Sequence, residues 1–150
     1  MTTPFAQVVR DALIEELELF NKEVRELCEP VSEEDFWKRP LEPSNSIGHL
    51  VLHLSGNLEH FVGAQLGSTG YVRDREREFT ETNVPKKEEA LAQLDETVAM
   101  FRRVVSGLSE EQLSGPHPEP RFGTVVKGLM HLVAHFALHR GQMSYLKRLL

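Results

Sequence analysis

Seven histidines stand in this 150-residue chain, and their spacing is the first chemical signal. Residues four apart share a helix face, so histidines at i and i+4 can converge on one ion. Three such pairs occur: His49/His53, His131/His135 and His135/His139. Random placement of seven histidines in 150 positions would give about 0.3 such pairs, so the clustering is read as a motif. Imidazole is the usual nitrogen ligand for zinc, nickel, copper and ferrous iron. Three histidines with no fourth protein ligand leave a coordination position open for water or substrate, as catalytic metal sites do.

The elements that must carry these residues are helices. Apolar residues recur with 3.6-residue spacing from about Thr3 to Leu27, through Phe5, Val8, Leu13, Leu17, Phe20 and Val24. Pro30 closes that segment. Ser32-Glu33-Glu34-Asp35 then predicts one short turn of helix that carries Phe36 and Trp37 toward the core. A second helix is expected from Asn45 or Ser46 to about Leu66, and GSTGYVRDREREFTETN reads as a long charged loop. Asn83 and Pro85 open a third helix that ends at Gly107, and the last helix starts near Thr124. The expected fold class is therefore all-α, a four-helix bundle whose long connections leave the helix order open. One domain, residues 1–150, accounts for the whole length.

On a helical wheel His131, His135, His139 and Gln142 form one stripe beside the apolar face of the last helix. His49, His53, Asn57 and His60 form a matching stripe on the second. If the two seams face each other, imidazoles converge. The competing reading makes them seam residues bonded to backbone or to neighbouring side chains.

Other chemistries are not supported. HFALH lacks the glutamate that H-E-x-x-H sets beside its first histidine. Cys28 has no identifiable base, and no glycine-rich phosphate loop occurs. A net charge of -6 argues against a nucleic-acid partner. Stretches such as HLVLHL fall far short of the roughly 20 apolar residues that span a bilayer. MTTPFAQVVRD carries no basic segment followed by an apolar one, and a single cysteine suits a reducing compartment, so a cytoplasmic location is expected.

SNSIGHLVLHLSGNLEHF, followed far downstream by HFALHRGQMSYL, resembles the DinB-like (DinB/YfiT) superfamily along essentially the whole chain, in an uncharacterised branch with an Arg/Asp-rich segment such as YVRDREREF. The resemblance implies a four-helix bundle that holds a divalent metal (Zn, Ni or Fe) through His53, His135 and His139, and that frequently forms homodimers. It also implies an activity, since relatives include thiol S-transferases using bacillithiol or mycothiol and a mycothiol-dependent maleylpyruvate isomerase. The expected function is transfer of a low-molecular-weight thiol onto an electrophile, with no protein nucleophile. A non-catalytic metal-binding stress or sensor protein and a dimeric helical interaction module are the alternatives.

Neighbouring residues are weighed separately. His49 competes with His53 as the ligand on the second helix, while His60 and His131 read as supporting or surface residues. Gln142 and Asn57 either orient a ligating imidazole or bridge helices. Arg140 falls on the apolar stripe and so calls for a buried carboxylate or carbonyl partner. Gly141 is expected to permit close helix contact. Arg73, Arg75 and Arg77 either receive an anionic substrate or form a solvated loop, and His117 has no visible role.

Overall fold

The computed structural model describes residues 2–150. Four long helices build the bundle: α1 (Phe5–Cys28), α3 (Ile47–Leu58), α6 (Lys87–Ser106) and α8 (Val125–Lys147). Shorter ones fill the connections: α2 (Glu33–Trp37), α4 (Gln65–Gly67), α5 (Arg77–Thr80) and α7 (Glu110–Ser114). Helix α3 continues into α4 through a π-helical stretch, Glu59–Ala64. Among the described residues the one β-type feature is an isolated bridge between Pro116 and Thr124, and no helix is long and apolar enough to cross a membrane.

Local signals explain where the helices begin. Ser46 Oγ accepts the His49 backbone N–H at 2.9 Å, and Thr124 Oγ1 accepts that of Lys127 at 3.2 Å. Each supplies one orphan donor of a first turn with an acceptor. Ser32 does the same for α2, which buries Phe36 completely and lays Trp37 across Gly48.

Helix α1 packs on α6 and α8, and α3 packs on the same two. Consecutive long helices α1 and α3 therefore lie across the bundle's diagonal, as do α6 and α8. Two diagonal crossings account for the long connections after α1 and after α6, because a tight turn reaches only an adjacent helix, whereas the long connection that carries α5 joins the neighbours α3 and α6. Almost every residue of α3 is buried, which makes it the most enclosed of the four. Its Leu50, Leu54 and Leu58 join Leu17, Leu94, Phe101, Leu129 and Phe136 in the core.

The apolar periodicity overreaches at the start of α1. Phe5 and Val8 continue the stripe in sequence, yet they are 80% and 46% exposed. The core face begins effectively at Ala6 and Leu13.

Candidate histidine site

Helices α3 and α8 set three imidazoles edge to edge. His53 Nε2 lies 3.1 Å from His135 Nε2, and His139 Nε2 lies 3.0 Å from the same atom. The three ring nitrogens all lie within 4.8 Å of one another, a grouping able to hold a metal ion. His53 is buried, whereas His135 and His139 are half-buried.

The second nitrogen of each ring decides what the first one offers. His53 Nδ1 lies 2.9 Å from Glu78 Oε1. An ionised carboxylate only accepts, so His53 carries a proton on Nδ1, and the neutral ring presents a bare lone pair at Nε2. His139 Nδ1 donates in the same way to Gln142 Oε1 at 2.7 Å, which leaves its Nε2 bare too. His135 Nδ1 is buried without a protein partner. A neutral His135 has one proton to give, so at most one of the two close nitrogen–nitrogen contacts at its Nε2 is a hydrogen bond. A cation among the three compensates both contacts. Tetrahedral nitrogens at the usual zinc distance stand about 3.3 Å apart, close to the two spacings around His135 Nε2. The donor set therefore fits a divalent ion of the zinc type.

Electrostatics favours neutral rings at His135 and His139. Burial, with the neighbouring His139, His53, His131 and Arg73, pushes the pKa of His135 down to about 3. Burial also lowers that of His139, against the hydrogen bond to Gln142. For Glu78, burial favours the acid, but hydrogen bonds from Arg73 and His53 outweigh it and hold the carboxyl below its ordinary range.

The other histidines divide cleanly. Both His49 nitrogens are engaged, Nδ1 with Ser46 Oγ at 2.6 Å and Nε2 with the Glu81 carbonyl at 2.9 Å. His49 thus pins the long loop to α3 and has no free lone pair for an ion. His60 sits edge-on to Phe61, and the exposed His131 lies against Phe122. Buried His117 donates from Nε2 to the Phe61 carbonyl at 3.2 Å and accepts the Glu119 N–H at Nδ1. That carbonyl belongs to the π-helical stretch, where the regular hydrogen-bond ladder is interrupted. Asn57 is buried away from the triad's hydrogen bonds, with Oδ1 unpartnered.

Sequence reasoning missed Glu78 and Phe79. Both come from α5, and the Phe79 ring covers His53 with centroids 4.6 Å apart. A lone phenylalanine within the run RDREREF was the available signal, since an apolar residue in a charged loop implies a docking point. The arginines of that loop are occupied: Arg73 grips Glu78, Arg77 pairs with Glu81, and Arg75 stands over Phe79. Arg140 finds its carboxylate in Glu23 and stacks on Phe20, in a pair that is partly exposed rather than buried. Gly141 makes no close helix contact, since a Cβ there would meet nothing within 4 Å. It lines a largely apolar cleft of about 630 Å³ with Asn45, Leu138, Gln142 and Tyr145. Gln142 thus borders both this cleft and the triad.

Residues 12–150 match the mycothiol-S-transferase (MST) family model. The chain belongs to that family. The mycothiol-S-transferase family is of DinB/YfiT type, in agreement with the superfamily resemblance in the sequence. No curated protein matches the chain. A crystal structure of a conserved protein from Enterococcus faecalis superposes with a TM-score of 0.76 at 18% identity, covering 93% of this chain and 95% of that one. At that identity the likeness establishes the shared all-α fold of this family member and nothing more.

Proposed function

We propose that His53, His135 and His139 hold one divalent metal ion, and that the protein transfers a low-molecular-weight thiol, mycothiol first among the candidates, onto an electrophile. The observation that carries this reading is the convergence of three Nε2 atoms, two of them stripped of their protons by Glu78 and Gln142. Membership of the mycothiol-S-transferase family supports the thiol. His53, His135 and His139 would hold the ion, which when bound would lower the pKa of an exogenous thiol.

The chain's own residues prepare that chemistry without joining it covalently. Glu78 and Gln142 fix two ring tautomers, and Phe79 shields His53 from water. Burial pushes the Cys28 thiol up to about 11, so the one cysteine stays protonated and is no rival nucleophile. The cleft beside Gln142, walled by Leu138 and Tyr145, offers apolar surface for the body of the electrophile.

Metal analysis of protein purified without a histidine tag tests the site. About one equivalent of transition metal is expected, and His139→Ala should abolish it; less than a tenth of an equivalent in wild type, with no thermal response to Zn²⁺ or Ni²⁺, sinks the metal reading. Thiol transfer to a chlorinated aromatic should depend on the metal and prefer mycothiol over bacillithiol and glutathione. Full metal occupancy without turnover on any of the three would favour a metal-binding protein without catalysis.

A further inference from the structure

The loop between α4 and α6 reaches the histidine site through a chain of three side chains. Arg73 Nε donates to Glu78 Oε2 and its Nη2 to Oε1, both at 2.8 Å, and Oε1 also receives the His53 Nδ1 proton at 2.9 Å. All three are enclosed, with side-chain exposures of 10%, 6% and 5%. A fourth residue makes the room. A Cβ on Gly56 would collide with Oε2 and the carboxyl carbon of Glu78, so the carboxylate lies directly over the glycine in HLSGN.

Burying an ion pair gives little net stability, because desolvation offsets most of the attraction. The arrangement is instead directional. A two-pronged guanidinium contact fixes the plane of the carboxylate as well as its position. Glu78 so fixed admits one orientation of the His53 ring and one tautomer. The guanidinium also balances the carboxylate's charge, so orientation is gained without adding net negative charge beside the imidazoles.

We propose that Arg73 and Glu78, accommodated by Gly56, are positioning residues that aim His53 Nε2 at the ion, which makes this loop an integral part of the metal site. The inference rests on the metal reading above and adds to it three residues in a hierarchy that ends on His53: Gly56 gives space, Arg73 fixes Glu78, and Glu78 fixes His53. It also explains why the loop's arginine is unavailable to an anionic substrate.

The test uses the full chain, stripped with chelator and titrated with Co²⁺ against a chromophoric competitor, with the visible d–d spectrum recorded. Glu78→Gln and Gly56→Ala should each weaken binding on the order of 10- to 100-fold and alter the d–d bands. Arg73→Ala should follow, and Arg73→Lys should recover part of the loss. Far-UV spectra and melting of the metal-free variants separate misfolding from mispositioning. Binding within twofold of wild type, with unchanged bands in Glu78→Gln and Gly56→Ala, overturns the proposal. Should either fail to fold, an Arg73→Ala variant that binds Co²⁺ like wild type overturns it equally. Wild-type protein that binds neither Co²⁺ nor Zn²⁺ brings down the metal reading itself, a result distinct from variants that match a competent wild type.

Discussion

Acidifying the metal-free protein should cost it stability through His135. In the fold this ring is half-buried and faces two other imidazoles, which pushes its pKa to about 3 from an ordinary 6.5. The unfolded chain therefore takes up a proton near pH 6.5 that the folded chain refuses. Below that point the unfolded state binds more protons, so stability falls as pH falls. The contribution is whole above about pH 6.5 and is lost progressively toward pH 3. One such group changes stability by about 1.4 kcal/mol per pH unit, hence on the order of 2 kcal/mol between pH 6.5 and 5. Urea denaturation in the presence of chelator, at pH 7 and pH 5, measures this directly. His135→Gln removes the titrating ring, and the variant should lose about 2 kcal/mol less than wild type over the interval. Other histidines lowered by burial, such as His49 and His117, act in the same direction in both proteins and cancel in the difference. Equal losses in the two proteins would refute the argument that the fold holds His135 neutral.

Replacing His117 by alanine should destabilise by about 1–3 kcal/mol, because the Phe61 carbonyl loses its donor inside the fold; urea midpoints check this, and His117→Gln should recover part of it. Gly48→Ala should cost about 1–3 kcal/mol through collision with the Trp37 ring, read as a lowered melting temperature and a shift in tryptophan fluorescence.

The helices and three of their caps were legible because both signals are local, whereas Asn83 and Pro85, read as opening the third helix, lie ahead of α6, which Lys86 caps. Ser32, Ser46 and Thr124 cap the helices they introduce, and the apolar period of α3, α6 and α8 matches the buried residues. His53, His135 and His139 were legible because regular helices carry four-residue spacing into space. The wheel also put His60 in line with His53, and there it failed. His60 lies two turns beyond His53 along the axis and inside the π-helical stretch Glu59–Ala64, whose wider turn departs from the 100° per residue that the wheel assumes. No residue pattern announces such a stretch. Choosing between His49 and His53 was beyond local information as well. It depends on the Glu81 carbonyl and the Glu78 carboxylate, both supplied by a loop whose four-residue helix α5 is too short to show a period. Phe5 and Val8 show the opposite error, a periodic stripe that runs past the helices available to cover it.

His53 and His135 are separated by 82 positions. Contacts so remote in sequence form late in folding, since the chain must surrender loop entropy before they return anything. The imidazoles meet only where α3 and α8 pack, so their convergence is expected after the transition state, and unfolding rates with and without Zn²⁺ test this. Interactions that are missing from the folding transition state slow unfolding and leave the folding rate unchanged. A cation held between these two helices would thus act on the lifetime of the fold rather than on the speed of its assembly.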